Sequence, residues 1–352
     1  MIQIDKNKPV MVTGASGYIA SWIVKKLLEQ GLTVHGTVRS LQAEYKIKHL
    51  RHLDQENPGN LELFEADLLV PESFDAAIAG CELVFHCASP TFINIPDDPE
   101  AELVRPALEG TQNVLGAVNR TDSVKRVVLT SSVAAAYGDM RDFLEKIITE
   151  DDWNETSSLD HQPYAYSKTV AEKAAWEITN TQDRWTLVVI NPAVALGPSL
   201  SKRDDFQSVQ IMIHMADGMM GMGTYPLVFG VVDVRDIAEA HIQAGFTPEA
   251  SGRHILASQT MSLLEIGEIL RKNFGDGYPF PKRELPKALL WLIAPLLGST
   301  RRDVSRNYGY PLQLDNSRSI HELGIQYRPV EDTLVEHFQQ ILNDKLLPEA
   351  AV

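Results

Sequence analysis

The sequence predicts an α/β protein, in which a doubly wound, mostly parallel sheet is joined to a smaller C-terminal substrate domain. Two observations support this fold class. Short apolar runs alternate with amphipathic segments between Val10 and Ile190, and Val, Ile and Leu dominate the runs with little alternation of polar residues. Parallel strands that are covered by helices on both faces have this continuous apolar character, and strand–helix alternation is typical of parallel sheets.

Six apolar runs are predicted to be strands, at Val10–Val12, Thr33–Val38, Leu61–Phe64, Leu83–Cys87, Arg126–Leu129 and Thr186–Ile190. Helices are predicted in the segments between them, at Tyr18–Gln30, Glu72–Ala79, Pro99–Val118 and Tyr164–Thr179. Later in the chain, Phe229–Val232 predicts another strand that rejoins the first domain, and Asp233 is suited to cap the helix after it. Ser262 and Glu265 have the spacing of a capping box, which predicts a helix toward Phe274.

The pattern changes after Pro192. Methionines are concentrated between Met212 and Met222 among several glycines, which is more typical of a flexible, polarisable surface than of a sheet. We therefore predict that residues 1–192 and about 228–257 form the first domain. Residues of about 193–227 and 258–352 are predicted to form the substrate domain.

The composition, the cysteine positions and the most apolar run disfavour several classes of function. The formal net charge of −15 disfavours binding to nucleic acid. Cys81 and Cys87 are the two cysteines; neither has metal-ligand spacing, and burial is favoured over reactivity for Cys87. The most apolar run, Ala288–Leu297, is too short to span a bilayer, which takes about 20 residues. We expect a cytoplasmic monomer or homodimer without stable membrane insertion, acting on a small molecule.

A glycine-rich segment lies between the first predicted strand and the first predicted helix, in the run from Thr13 to Ala20. Gly14 permits a tight turn, and Gly17 allows backbone N–H groups at a helix N-terminus to approach a pyrophosphate. Ala20 replaces the third glycine of the usual pattern and is small enough for close helix–strand packing. In this context the segment predicts a dinucleotide site of the Rossmann type.

The residues after the second and third strands discriminate between cofactors. An acidic residue after the second strand would bind the ribose 2′-hydroxyl of NAD, whereas Arg39 in this position is suited to a 2′-phosphate. Lys46 is a candidate second cation, so NADP(H) is favoured, although both could be solvated surface charges. Asp67, followed by Leu68, either accepts a hydrogen bond from the adenine amino group or caps the next turn.

A candidate reacting centre lies later in the chain. Tyr164 and Lys168 share one helix face if Pro163 begins the helix, and a nearby ammonium favours the phenolate and lowers the tyrosine pKa from about 10. Ser131 and Ser132 end the fifth strand, at the sheet edge where α/β sites form. A serine there either hydrogen-bonds a substrate oxygen or satisfies loop backbone groups. Together these features predict a reductase whose proton donor is Tyr164.

In this order, the motifs resemble those of extended short-chain dehydrogenases/reductases, over residues of about 8–260. The branch with dihydroflavonol 4-reductases, cinnamoyl-CoA reductases and carbonyl (aldehyde) reductases is the most similar. The resemblance implies NADPH-dependent reduction of an aldehyde or ketone to the alcohol. It implies that Ser132 orients the carbonyl, with Ser131 the less favoured neighbour, that Tyr164 donates the proton, and that Lys168 holds the nicotinamide ribose. The implied cofactor contacts are Thr13, Gly14, Ser16, Gly17, Tyr18, Ile19, Arg39, Lys46, Asp67, Leu68, Cys87, Ala88, Ser89, Tyr164, Lys168, Asn191, Pro192, Ala193 and Val194.

The sequence departs from the plant members of this branch in two places. Tyr137 occupies the position where dihydroflavonol reductases carry an asparagine that contacts the flavonoid ring. The run from Gln162 to Lys168 lacks the residues that surround the tyrosine in plant cinnamoyl-CoA reductases. Substrate contacts are predicted for Ser132, Tyr137, Tyr164, Met215 and Tyr225, and these residue types favour an apolar or aromatic carbonyl compound.

Two alternatives stay open at this stage. A nucleotide-sugar epimerase or dehydratase would have the same fold, but a dehydratase needs an added acid and base, and no carboxylate follows Ser132 before Asp139. An epimerase would also favour an acidic ribose contact instead of Arg39. A non-catalytic NADP-binding sensor is the other alternative, which the retained Tyr164 and Lys168 disfavour.

Overall fold

A seven-stranded parallel sheet forms the centre of the computed structural model, which describes residues 2–90 and 97–348. The strand order is β3-β2-β1-β4-β5-β6-β9. Its strands are β1 (Val10–Thr13), β2 (Thr33–Val38), β3 (Asn60–Glu65), β4 (Leu83–His86), β5 (Arg126–Thr130), β6 (Thr186–Pro192) and β9 (Gly252–Leu256). The order reverses between β1 and β4, and ligands of open α/β sheets bind at the carboxyl edge near such a switch point.

Twelve α-helices are assigned within residues 2–90 and 97–348, and several of them pack against the two faces of the large sheet. They are α1 (Tyr18–Glu29), α2 (Glu44–Glu56), α3 (Asp75–Ile78), α4 (Arg105–Arg120), α5 (Pro163–Thr179), α6 (Gln207–His214), α7 (Val234–Phe246), α8 (Leu263–Phe274), α9 (Lys287–Ile293), α10 (Arg301–Asn307), α11 (Ser317–Leu323) and α12 (Val330–Asn343). A π-helical turn, Glu100–Val104, runs directly into α4.

A second sheet of three strands lies beyond β6. It consists of β7 (Val194–Leu196), β8 (Val228–Asp233) and β10 (Gln259–Ser262), with β8 in the middle. The strand predicted at Phe229–Val232 is present as β8, which pairs with β7 and β10, while β9 is the seventh strand of the large sheet. Helix α7 does return to the large sheet and packs against α1.

The division into two domains stays a prediction. Its ranges include residue 1 and residues 91–96 and 349–352, which lie outside the described part. The apolar side chains do form separate clusters, two against the large sheet and a third around α6, α8 and α12. Met212 and Met215 are fully buried in this third cluster, whereas Met219 and Met222 are exposed. The methionine-rich segment is thus partly core, contrary to the surface that its composition suggested.

Local signals predict several elements correctly and leave others unpredicted, among them α2, α6, α10, α11 and α12. The predicted caps of α7 and α8 are confirmed: Asp233 accepts the N–H of Arg235, and Ser262 and Glu265 form a complete capping box. Helix α2 was not predicted, since its buried residues Ile47, Leu50 and Leu53 are few among polar neighbours. The predicted helix at Glu72–Ala79 shrinks to the single turn of α3.

The apolar run Ala288–Leu297 is a short helix, α9, followed by a 3₁₀ turn. Leu290 and Ala294 are buried, while Leu292 and Leu296 are exposed. In the described ranges, none of the helices has both the length and the apolar character needed to cross a bilayer.

The capping box of α8 predicts a measurable loss of stability in Ser262→Ala. The Ser262 hydroxyl satisfies the Glu265 N–H at 3.2 Å, and its loss should lower the free energy of unfolding by about 1 kcal/mol. Urea denaturation followed by circular dichroism measures this change. Glu268→Gln, on the exposed face of the same helix, is the control and should change stability by less than about 0.5 kcal/mol. Equal effects of the two substitutions would contradict the capping role.

Candidate active site

The glycine-rich loop joins β1 to α1 at the carboxyl edge of the large sheet. Gly14 has φ of +64°, and a Cβ there would lie 3.1 Å from Ala88. A Cβ on Gly17 would meet the Gly14 carbonyl oxygen at 3.1 Å. No side chain caps the N-terminus of α1 at Gly17, so the N–H groups of its first turn are left for an anion. These features fit a pyrophosphate.

The Thr13 side chain is fully buried and contacts other parts of the protein, so it does not face the open site. Its hydroxyl accepts the N–H groups of Cys87 and Ala88, both at 3.0 Å, and lies 2.9 Å from His86 Nδ1. Burial lowers the pKa of His86 to about 3, so the ring is neutral and Nδ1 accepts the hydroxyl proton. Thr13 therefore fixes the segment Cys87–Ser89 beside the glycine loop.

Three other residues predicted to contact the cofactor, Tyr18, Ile19 and Ser16, differ in the contacts of their side chains and backbone. The Tyr18 side chain is buried and donates its hydroxyl to Gly197 O, so only its backbone remains for a phosphate. The Ile19 side chain packs partly against the core. Ser16 is half-buried, and its carbonyl accepts a hydrogen bond from Arg203 at 3.2 Å. Arg203, which sequence analysis did not identify, also pairs with Asp205 and ties the segment before α6 to the glycine loop.

The two cations expected at a 2′-phosphate lie after β2, one directly after the strand and the other in α2. The Arg39 side chain is 85% exposed, and its nearest acidic partner is Asp67, 3.9 Å away. Asp67 Oδ1 accepts the N–H of Leu69 at 2.8 Å, so the turn-capping interpretation of Asp67 has a contact that supports it. Lys46 lies half-buried in the first turn of α2, while Leu68 packs against α4. Arg39 is thus free to contact an incoming anion.

Tyr164 and Lys168 lie on one face of α5, which begins at Pro163 as predicted. The Lys168 ammonium is 5.8 Å from the centroid of the Tyr164 ring and donates to Ser89 Oγ at 3.0 Å. Burial lowers the pKa of Lys168 to about 8, and the nearby Cys87 and Glu172 oppose this shift. At neutral pH the side chain therefore remains mainly a cation, held between α5 and the segment after β4.

The pKa of the Tyr164 phenol is not lowered overall in this structure, contrary to the expectation. Burial raises the pKa of Tyr164 above its ordinary value, and a hydrogen bond with Ser132 lowers it by a smaller amount. Tyr164 is accordingly protonated throughout the neutral range, which a proton donor requires. The thiol of Cys87 is likewise protonated, since burial raises its pKa to about 12.

Ser132 lies beside Tyr164 and is held by backbone contacts. It is the N-cap of a 3₁₀ turn, Val133–Ala135, and its hydroxyl accepts the Ala134 N–H at 3.2 Å. Its carbonyl accepts the Asn191 side-chain amide at 3.1 Å. The Ser132 hydroxyl also hydrogen-bonds with Tyr164, so a ligand oxygen that accepts the Ser132 proton would replace that contact.

Ser131 points away from Ser132, into a buried polar network that sequence analysis did not find. Its hydroxyl donates to Glu172 at 2.5 Å, and the Asn191 side-chain amide donates to the same carboxylate at 2.8 Å. Arg253 completes the network with an ion pair to Glu172 at 2.6 Å and stacks on Trp153 at 4.1 Å. Glu172 follows Lys168 by four residues, so the face of α5 that carries Tyr164 is fixed to β5, β6 and β9.

The last three residues predicted to contact the cofactor, Pro192, Ala193 and Val194, connect β6 to the second sheet. Pro192 is the last residue of β6, and Ala193 donates its N–H to Leu256 O at 2.8 Å. Val194 begins β7 and is half-buried. This short connection brings the second sheet next to the carboxyl edge of the first.

A cavity of about 390 Å³ lies over Tyr164 between the large sheet and the C-terminal part of the chain. Most of its wall is apolar or aromatic. The lining residues are Leu103, Ala134, Tyr137, Gly138, Met140, Gln162, Pro163, Tyr164, Ala165, Gln207, Leu227, Phe229, Asp303, Asn307 and Tyr308. Of the predicted substrate residues, Tyr137 and Tyr164 line it.

The other predicted substrate residues lie around this cavity or away from it. Ser132 is beside Tyr164, as its effect on the tyrosine pKa shows. Tyr225 packs against the cavity residue Tyr308, with ring centroids 5.7 Å apart, and so supports the wall from behind. Met215 is buried in the cluster of α6, α8 and α12, which does not support its prediction as a contact. Sequence analysis missed Asp303 and Tyr308 because nothing in the local pattern places α10 over α5.

A residue with an uncommon backbone conformation lies two positions before Tyr164. Gln162 has φ of +56°, a left-handed conformation that is uncommon for a residue other than glycine. Its side-chain amide donates to Asp303 at 3.4 Å across the cavity wall. The strained residue thus links the start of α5 to α10.

Comparison with known proteins agrees with this geometry, in which a tyrosine–lysine pair stands at the carboxyl edge of a doubly wound sheet. The chain belongs to the NAD dependent epimerase/dehydratase family, whose model matches residues 10–256. It is 35% identical to cinnamoyl-CoA reductase CAD2 of Medicago truncatula, over 96% of each chain. It is 42% identical to cinnamoyl-CoA reductase 1 of Arabidopsis thaliana, over 79% of this chain and 78% of that one.

Among solved structures, the complex of Gre2 with NADPH from Candida albicans has a TM-score of 0.75 and 29% identity, and the match covers 96% of this chain and 99% of that chain. The predicted resemblance and the Rossmann fold are confirmed. The predictions of a reductase and of NADP(H) as its cofactor are confirmed as well. The roles of individual residues rest on the geometry described above.

The buried network predicts that Glu172→Gln destabilises the protein strongly. Without the carboxylate, Arg253 is a buried cation without its partner, which costs about 3–5 kcal/mol of unfolding free energy. Urea denaturation measures this loss.

Glu177→Gln, at an exposed position of the same helix, is the matched control and should change the unfolding free energy by less than about 0.5 kcal/mol. A Glu172→Gln protein as stable as the control would contradict the structural role of the ion pair.

Proposed function

We propose that the chain reduces a small apolar or aromatic aldehyde or ketone to the alcohol, with NADPH as the cofactor and Tyr164 as the proton donor. The observation that carries this proposal is the position of Tyr164. Its side chain lines the cavity, while Lys168, one turn later, contacts Ser89 beside the glycine loop. The substrate cavity and the cofactor edge therefore meet at this one helix.

The residues present fit a dinucleotide phosphate. The uncapped N-terminus of α1 and the close-packed Gly14 and Gly17 would hold the pyrophosphate, and the exposed Arg39 would hold the 2′-phosphate. Lys168 would hold the nicotinamide ribose. When bound, the reduced nicotinamide supplies the hydride for the carbonyl carbon.

The chain's own groups act on the carbonyl oxygen. Ser132, whose hydroxyl oxygen is occupied by the Ala134 N–H, donates its proton as a hydrogen bond and fixes the oxygen's position. Tyr164 donates its proton to the same oxygen as negative charge develops there. The resulting phenolate lies near the Lys168 ammonium, which stabilises it until a solvent proton restores the phenol.

The structure disfavours the two alternative functions. Asp139, the nearest carboxylate after Ser132, is fully buried and bound by His161 at 2.6 Å and Arg306 at 2.9 Å. It is thus occupied, and a dehydratase would lack that acid or base. A sensor without catalysis would have no need of a tyrosine and a lysine fixed between the cavity and the glycine loop.

Tyr164→Phe tests the proton donor. Loss of the hydroxyl should lower kcat by about 100-fold or more, while the Kd for NADPH stays within about 3-fold. NADPH oxidation should be measured over a panel of aliphatic and aromatic aldehydes, ketones, keto esters and an aryl-CoA thioester. Tyr166→Phe, two residues later on the same helix, is the matched control and should keep its activity. Undiminished turnover in Tyr164→Phe would refute the proposal.

Arg39→Ala tests the cofactor preference. Loss of the charge-assisted contacts to a 2′-phosphate should raise the KM for NADPH by roughly 10–100-fold and leave that for NADH nearly unchanged. Steady-state kinetics with both cofactors measures the ratio. Arg51→Ala removes an exposed guanidinium from α2 and should leave the ratio as it is. A proportional loss with both cofactors would show that Arg39 does not recognise the phosphate.

A further inference from the structure

The cavity over Tyr164 has a carboxylate in its wall. Asp303 lies in the first turn of α10 and is half-buried, and it is the only acidic residue that lines this cavity among the described residues. The neighbouring wall residues are apolar, aromatic or neutral amides. A single carboxylate therefore faces an otherwise uncharged space.

The Asp303 side chain is held in place by neutral donors. Oδ1 accepts the Asn307 amide at 2.8 Å and the Gln162 amide at 3.4 Å, and Oδ2 accepts the Ser299 hydroxyl at 3.3 Å. Its backbone N–H is capped by Thr300 Oγ1 at 2.9 Å. These contacts orient the carboxylate, but none of the donors is a cation that would balance its charge.

No cation within the described ranges forms an ion pair with Asp303, although arginines are close in sequence. Arg306 is taken by Asp139 at 2.9 Å and Asp142 at 2.7 Å, and Arg301 stacks over Trp291 at 4.7 Å. An oriented carboxylate without a counter-ion attracts hydrogen-bond donors and repels anions, most strongly where apolar walls limit solvent.

We propose that Asp303 selects the substrate class of this site: carbonyl compounds that carry a hydroxyl group, and no anionic group, on the part of the molecule that lies beside Asp303. This inference rests on the proposed function, because it takes Tyr164 to mark the carbonyl end of the cavity. Tyr164, Gln162 and Asp303 line the same cavity, so one substrate can meet both the tyrosine and the carboxylate. Discrimination then comes from attraction of the hydroxyl and from repulsion of the anion.

The test uses two aldehyde series of different length, benzaldehyde and 3-phenylpropanal, each unsubstituted and with a meta or para hydroxyl or carboxylate. In the better-fitting series, the wild type should have kcat/KM about 10-fold higher for a hydroxyl compound than for the parent, and at least 10-fold lower for the carboxylates. In Asp303→Asn, which keeps an acceptor for Asn307, the carboxylate-to-parent ratio should rise at least 10-fold.

Asp142→Asn is the matched control, since it removes an equal charge near α10 that does not line the cavity. Its substrate ratios should equal those of the wild type. Wild-type turnover of the carboxylates as fast as that of the parents would overturn the inference. So would unchanged ratios in Asp303→Asn, or equal changes in the two variants.

A binding measurement separates this inference from the proposed function. The corresponding alcohols, titrated calorimetrically into the protein with NADP⁺, should bind in the same order: hydroxyl, parent, carboxylate. If no aldehyde in either series is reduced but the alcohols bind in this order, the proposed function fails and the selectivity of Asp303 stands. If the aldehydes are reduced but no such order is seen in rates or binding, the selectivity fails and the proposed function stands.

Discussion

The buried ion pair between Glu172 and Arg253 is the interaction on which the geometry of the site depends. Glu172 is on α5 and Arg253 is on β9, the last strand of the large sheet. Ser131, directly after β5, and Asn191, on β6, contact the same carboxylate. Taking two charges out of water is costly, so such a pair is retained only where good geometry and further hydrogen bonds compensate. Here the compensating contacts join four parts of the fold, which must therefore be correctly positioned relative to one another.

The consequence of this network is a fixed helix face. Tyr164, Lys168 and Glu172 follow one another at intervals of four residues, so anchoring Glu172 orients the two before it. Asn191 bridges from Glu172 to the Ser132 carbonyl and so places the serine beside the tyrosine. The relative positions of donor hydroxyls and cation are therefore set by buried contacts before any ligand arrives, which is how proteins preorganise a reacting centre.

Much of this was accessible from sequence because the signals are local. The turn at Gly14 and Gly17, the four-residue spacing of Tyr164 and Lys168, and the capping box at Ser262 each involve residues within one element or turn. What sequence analysis missed is long-range. The pairing of Glu172 with Arg253, the placement of Asp303 in the same cavity as Tyr164, and the pairing of β8 with β7 and β10 all join segments remote in sequence. The Tyr164 pKa was misjudged for the same reason, since burial by distant segments outweighs a neighbouring charge.

In the proposed mechanism, Tyr164 and Ser132 act on the same carbonyl oxygen of the substrate. A crystal structure of the protein with NADP⁺ and a non-reducible carbonyl ligand, such as an aryl amide, tests this most directly. The hydroxyl oxygens of Tyr164 and Ser132 are both expected to lie about 2.5–3.0 Å from the ligand's carbonyl oxygen, with the aryl group in the cavity toward Asp303. A ligand oxygen bound by neither hydroxyl, or an aryl group outside that cavity, would contradict it.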